Sequence, residues 1–151
     1  MTNQIRFVNI AFNSPQYQES LQLREDVLRK PLGLSLTSED LANEEQQTHL
    51  GVFIEDKLIG IVVLKPSLDP KIVKLRQMAI APSYQNQGIG TQLIQYAEQQ
   101  ALSQGYQQIE LHARDQYQRF YTKLGYQPVG EPFIEVTIPH ILMTKKLVSY
   151  E

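Results

Sequence analysis

Between Ser83 and Ala101 the chain reads SYQNQGIGTQLIQYAEQQA, and the run Gln85-Asn86-Gln87-Gly88-Ile89-Gly90 stands where a strand-like stretch ending near Ile80 gives way to a long amphipathic helix. A glycine in a helix's first turn costs about 1 kcal/mol relative to alanine, so two of them imply that something approaches the backbone closely. Unpaired N–H groups at the helix start, the macrodipole behind them and side-chain-free glycines all suit a phosphate. No Gly-Lys-Ser/Thr follows, so this is not a Walker loop. A dinucleotide fingerprint is disfavoured too, because the third glycine is missing and the strands before it look antiparallel. An anion cradle without nucleotide hydrolysis is the prediction.

The rest of the composition narrows the chemistry. The chain has no cysteine, which excludes disulfides, thiolate catalysis and Cys-ligated zinc, and fits a reducing cytoplasm. His49, His112 and His140 are too far apart for metal-ligand spacing, so no metal site is expected. Fourteen basic against sixteen acidic residues leave a formal charge of −2, no footprint for duplex nucleic acid. The N-terminus lacks a basic flank followed by a long apolar run, and no stretch approaches bilayer-spanning length; the reading is a cytoplasmic protein with no membrane partner. A length of 151 residues, 42% of them hydrophobic and 20% charged, fits one globular domain over 1–151.

The elements that would position this cradle follow from periodicity. Residues 5–12 read as an opening strand, and Ser14 caps a helix with Pro15 at its first position; Tyr17, Leu21, Val27 and Leu28 form its apolar set and Pro31-Leu32-Gly33 stops it. A second short helix is expected near Ser38. Leu50–Leu64 reads as a hairpin turning at Glu55-Asp56-Lys57, and KIVKLRQMAIAP follows as a third strand. In that strand Val73 and Leu75 are apolar on odd positions but Met78 and Ile80 on even ones. Either the strand carries a bulge near Arg76 and Gln77, or Val73 or Leu75 is an exposed apolar residue. Ile89, Leu93, Ile94, Ala97, Ala101 and Leu102 mark the long helix, ended by Gly105. QIELHA is a strand parallel to the third, Tyr117, Phe120, Tyr121 and Leu124 mark a further helix stopped by Gly125, and FIEVTIPHILMTKKLV supplies closing strands broken at Pro139.

The Q-x-x-G-x-G spacing of Gln85–Gly90 resembles the acyl-CoA pyrophosphate loop of the GNAT acetyltransferase superfamily. LHARDQYQRFYTKLGY is similar to that superfamily's FYxKLGF segment, and GEPFIEVTIPHILM and LREDVLRKPLGL resemble a bacterial subgroup with a C-terminal IPH segment. The resemblance spans most of the chain. It implies a single-domain α/β fold whose mixed, mostly antiparallel sheet has a bulged central strand, is flanked by helices and is splayed to admit acetyl-CoA. It also implies that Met78, Ala79 and Ile80 hydrogen-bond the pantetheine arm, and that Gln85, Gln87, Gly88, Ile89, Gly90 and Thr91 line the pyrophosphate through backbone amides. Where the family often has an asparagine on the cofactor this chain has Arg114-Asp115-Gln116, and Gln116 is the candidate there.

The implied activity is acetyl transfer from acetyl-CoA to a primary amine by direct attack in a ternary complex, with no metal and no enzyme nucleophile. Tyr121 matches the family's general acid; by spacing alone it is a core aromatic. A backbone N–H at or beside Met78 is the expected oxyanion donor. The strand that often carries a glutamate base in this family has Lys74 and Arg76 instead, leaving His140, Glu135, His49 and Glu44 or Glu45 as bases. For His140 catalysis and structural hydrogen bonding are both open, and His49 and His112 read as structural or exposed. The acidic segment Glu39–Glu45 reads as an attractor for a cationic amine or as a solvated helix face. Partners are acetyl-CoA and an amine acceptor, with monomer and homodimer both open; the rival reading is a non-catalytic acyl-CoA-binding sensor or interaction module.

Overall fold

In a computed structural model of the protein, which describes residues 4–147, the Ser14 hydroxyl accepts from the Tyr17 amide at 3.1 Å and Pro15 opens helix α1, Pro15–Arg24. The helix then widens into a π-type segment, Glu25–Arg29, and tightens into one 3₁₀ turn, Lys30–Leu32, before Gly33 at φ 72° ends it. The second helix expected near Ser38 does not form: residues 38–43 are successive turns leading to one 3₁₀ turn at Glu44–Gln46. Asp40 accepts from the Thr37 amide at 2.9 Å, giving the backbone a side-chain partner in place of a helical one, and Asn43 at φ 61° reverses the handedness.

Strands β1 (Ile5–Ile10), β2 (Thr48–Ile54), β3 (Lys57–Pro66), β4 (Ile72–Ile80), β5 (Gln108–Arg114), β6 (Gln127–Glu135) and β7 (Ile138–Lys146) form one sheet in the order β1-β2-β3-β4-β5-β7-β6. β4 and β5 are parallel, joined through helix α2, Ile89–Ser103, while β1–β2, β2–β3, β5–β7 and β6–β7 are antiparallel. Helix α3 is Gln118–Lys123. The fold is the α/β architecture with a mixed, mostly antiparallel sheet that the sequence implies. β1 is two residues shorter than expected, because Asn13 turns at φ 63° on the way to the Ser14 cap.

Two compact units can be distinguished, the chain up to Lys65 with Gln77–Ala97, and Pro66–Arg76 with the chain from Glu98 onward. In the first, β3 is buried from Leu58 to Leu64 on both faces, which is why LIGIVVL is apolar without alternation. Ile10, Tyr17, Phe53, Leu58, Ile61 and Ala79 form one cluster there, covered by Leu21, Leu23, Val27 and Leu28. Gly60 is required by packing: a Cβ there would stand 2.6 Å from Val52 Cγ1 and 2.8 Å from Ile80 Cδ1.

The second unit has an alternating sheet. Val73, Leu75, Ile109, Leu111, Ala113 and Met143 bury one face, and their registered neighbours Lys74, Glu110, His112 and Leu142 lie on the other. The break expected at Pro139 is absent. The chain reverses instead at Val136 (φ 42°) and Thr137 (φ 66°), and Pro139 lies inside β7 opposite Ile134. In a two-residue hairpin the closing pair Glu135–Ile138 exchanges both backbone bonds, so at the next pair the missing proline N–H faces away from β6. β5 ends at Arg114, opposite His140, and asks nothing of Pro139 on that side.

Candidate active site

The phase slip read in KIVKLRQMAIAP is a real kink in β4. Val73 and Leu75 are both buried, and Gln77, between them and buried Ala79 and Ile80, has φ 56° inside β4. A non-glycine residue there costs on the order of 1–2 kcal/mol and needs something to hold it. Arg24 Nε donates to Gln77 Oε1 at 3.1 Å. Met78 beyond it is half-buried.

After Ile80 the chain makes one 3₁₀ turn, Pro82–Tyr84, and then an exposed turn, Gln85–Gly88, that opens α2. Gln85 Nε2 donates to the Ile80 carbonyl at 2.9 Å and Gln87 Nε2 to the Ser83 carbonyl at 3.1 Å, so both amides brace the turn from within. Asn86 at φ 62° and Gly88 at φ 82° are left-handed. A Cβ on Gly88 would meet nothing within 4 Å, so its glycine answers to backbone handedness here. The first helical bond runs from Gln92 N to Gly88 O at 3.2 Å, which leaves the amides of Ile89, Gly90 and Thr91 in the turn that has no carbonyl behind it. Such a turn at the positive end of a helix favours an anion.

Glu44, read as a base or a solvated side chain, is neither. It and Arg24 are fully buried: Arg24 Nη1 donates to Glu44 Oε1 at 2.9 Å and Nη2 to Oε2 at 2.6 Å, and Tyr17 Oη donates to Oε1 at 2.6 Å. Burial and then the Glu44 carboxylate push the Tyr17 phenol well above its ordinary pKa. The Glu44 carbonyl lies 2.8 Å from His49 Nε2, so His49 is a buried structural histidine. Asp40 pairs with Arg29 at 2.9 Å; burial opposes its charge, but Arg29 and Thr37 hold its carboxyl below the usual range. The acidic segment is thus no helix face, and arginines occupy two of its carboxylates.

In the second unit, α3 carries Tyr121, buried and edge-on to Phe120 at 5.0 Å and Tyr126 at 5.8 Å. Burial, reinforced by Tyr117, holds its phenol proton well above the ordinary pKa. Gln116 is exposed in the 3₁₀ turn Asp115–Tyr117. The strands bring His140 and Glu135 together and add His112, a residue the sequence reading left aside. His112 Nδ1 donates to Glu135 Oε1 at 2.9 Å, and His140 Nε2 stands 3.8 Å from Glu135 Oε2. His140 Nδ1 donates to the Ile138 carbonyl at 2.8 Å, and the Phe133 ring packs on both imidazoles. The His112 hydrogen bond holds the Glu135 carboxyl below the usual range against the opposing effect of burial, with help from the charges of His140 and Lys74. Alternation in QIELHA already places His112 on the polar face; only strand register shows that Glu135 meets it.

The family model described as an acetyltransferase (GNAT) domain matches residues 24–147, from the end of α1 through β7. YitI of Bacillus subtilis (strain 168), described as an uncharacterized N-acetyltransferase, is 32% identical over 139 residues, 86% of this chain and 91% of its own. A Lactobacillus plantarum protein of solved structure superposes with TM-score 0.86 at 27% identity over 97% of this chain and 100% of that one. An aminoglycoside 6'-N-acetyltransferase complexed with coenzyme A shares the fold, with TM-score 0.76 at 20% identity over 97% and 99% of the two chains. With a domain match of that extent and a relative aligned over nearly its whole length, the chain belongs to the GNAT acetyltransferase family and is an N-acetyltransferase.

Proposed function

We propose that the enzyme transfers the acetyl group of acetyl-CoA to a primary amine by direct attack. The observation that carries this reading is the exposed, left-handed turn at Asn86 and Gly88 opening α2, with the amides of Ile89, Gly90 and Thr91 in its first turn. A pyrophosphate would lie on those amides and on the backbone of Gln85 and Gln87. The pantetheine arm would pair with the backbone of Met78, Ala79 and Ile80 just past the kink, and Gln116 would assist at the cofactor. The amine nitrogen attacks the thioester carbon, a C–N bond forms and the C–S bond breaks. The Met78 amide would steady the oxyanion, and Tyr121, which burial keeps protonated, would give the departing thiolate its proton.

Calorimetric titration with acetyl-CoA, run beside thiol release against a panel of amines, tests this. Gly88→Val is expected to weaken acetyl-CoA binding by roughly tenfold or more, since a β-branched residue resists φ 82° by about 1–2 kcal/mol. Tyr121→Phe should leave that affinity nearly unchanged and lower thiol release by about 100-fold or more. Absence of acetyl-CoA binding would sink the proposal, and binding without release across the panel would favour a sensor.

A further inference from the structure

Arg24 and Glu44 sit in the first unit with no side-chain exposure, and a pair buried so completely needs a reason other than stability. Replacing such a pair by apolar residues of similar volume is often neutral or stabilising. What the pair supplies here is direction. Arg24 Nη1 and Nη2 are engaged by the two Glu44 oxygens at 2.9 and 2.6 Å, and Tyr17 Oη also donates to Oε1 at 2.6 Å. A guanidinium is planar, so two parallel bonds to one carboxylate fix its plane and leave the Nε proton a single heading. That proton goes to Gln77 Oε1 at 3.1 Å.

Irregular backbone gathers around the same side chain. Helix α1 gives way to the π-type segment at Glu25, the residue after Arg24. Asn43, the residue before Glu44, has φ 61°, and Gln77 has φ 56° inside β4. Such backbone is costly, persists where the surroundings over-determine it, and collects at functional sites. All three irregularities border or include residues joined by the hydrogen bonds of Arg24. Beyond Gln77 the strand is held as well: the Ala81 amide donates to the Ile59 carbonyl at 2.8 Å, and a Cβ on Gly60 would stand 2.8 Å from Ile80 Cδ1. Residues 78–80 are thus mounted at both ends, by β3 at one and by Arg24 through Gln77 at the other.

We propose that Arg24 is a positioning residue for acetyl transfer: acting through Gln77, it holds β4 in the kinked form that presents the backbone of Met78, Ala79 and Ile80 to acetyl-CoA. This rests on the acetyl-transfer reading above, and every residue it invokes belongs to the first unit. Without the kink, each residue after Gln77 would pass to the opposite face of the strand, and the Met78 amide would no longer stand where an oxyanion needs a donor. Glu44 and Tyr17 act one step further back, by fixing the guanidinium.

The test uses the full chain, titrated with acetyl-CoA by calorimetry and assayed for thiol release with a tripeptide bearing a free N-terminus, spermidine and kanamycin. Gln77→Leu removes the acceptor and leaves the Arg24–Glu44 pair in place. Its acetyl-CoA Kd is expected to rise by about tenfold or more, and its kcat at saturating acetyl-CoA to fall by about tenfold or more, since a misplacement of about 1 Å can cost about 100-fold. Gln77→Glu, which keeps an oxygen within reach of Arg24 Nε, should return both to within about threefold of wild type. Should Gln77→Leu not fold, Gln77→Gly decides in its place. Glycine accepts φ 56° without strain, so this variant loses the tether alone, and the same two losses are expected at about threefold or more. A merely structural role would lower the urea midpoint and move neither constant of the folded protein. Affinity and kcat within about twofold of wild type in the variant without the tether therefore overturn this proposal and leave the acetyl-transfer reading standing. A Gln77→Glu protein no better than the tetherless variant overturns it too. Failure of the wild-type protein to bind acetyl-CoA, or to release thiol with any of the three probes, overturns that reading and this proposal with it.

Discussion

A buried arginine and glutamate are each other's only reason to be charged inside a protein. Glu44→Ala leaves the Arg24 guanidinium, now fully buried, without its bidentate carboxylate, and a loss of about 3–5 kcal/mol is expected in urea unfolding. Replacing both at once, Arg24→Met with Glu44→Met, should be much milder, since no charge is stranded; equal losses in the two variants would show that the pair is not what matters. Arg24→Met should in addition release Gln77, so the double variant is expected to bind acetyl-CoA more weakly despite its recovered stability. At this scale the sequence was least legible. The partners Arg24 and Glu44 lie 20 residues apart, and no period links them, so Glu44 read as a solvated face or a base. Asp40 and Glu135 were hidden in the same way. Their carboxyls are held low in the folded chain, so the stability they contribute is complete above the unfolded pKa of about 4 and is lost as pH falls through the lowered values. Thermal unfolding between about pH 6 and 3 should show that loss, and His112→Leu should diminish the part due to Glu135.

Among the elements, those with one buried face were the most legible. Alternation in QIELHA matches buried residues one for one, and of the helical set Ile89, Leu93, Ile94, Ala97 and Ala101 are buried while Leu102, expected with them, is only partly so. The slip in β4 was legible for the same reason, because a left-handed residue at Gln77 moves every later side chain to the opposite face. Turn chemistry misled where it was atypical. Proline is the strongest breaker in FIEVTIPHILM, yet the reversal falls on Val136-Thr137, residues that disfavour φ 42° and 66°. Strand register overrides local preference there, and the conflict is measurable. Val136→Asn with Thr137→Gly supplies the pair that a two-residue hairpin prefers and should stabilise the protein by about 1–2 kcal/mol. No gain in the unfolding midpoint would mean that the turn is not strained.

For the whole molecule the open question is whether two compact units behave as one domain, as a single GNAT module of 151 residues should. Chain continuity argues that they do. Helix α2 contributes nine residues, Ile89–Ala97, to one unit and six, Glu98–Ser103, to the other. Helices shorter than about 12–15 residues are marginal in water, so neither part is expected to persist once the other melts. β4 is divided in the same way between Arg76 and Gln77. The amides of Val62 in the first unit and Leu111 in the second, both deep in the sheet, should therefore exchange with one global free energy. Acetyl-CoA at about 100 times its Kd adds about 2.7 kcal/mol to whatever unfolds with its site. That corresponds to a rise of roughly 5–11 °C in Tm for a chain of this size. If the molecule is one cooperative domain, the ligand slows exchange at Val62 and Leu111 by the same factor, although the phosphate turn belongs to the first unit alone. If only Val62 is slowed, the units unfold separately, and α2 must tolerate being melted from its middle.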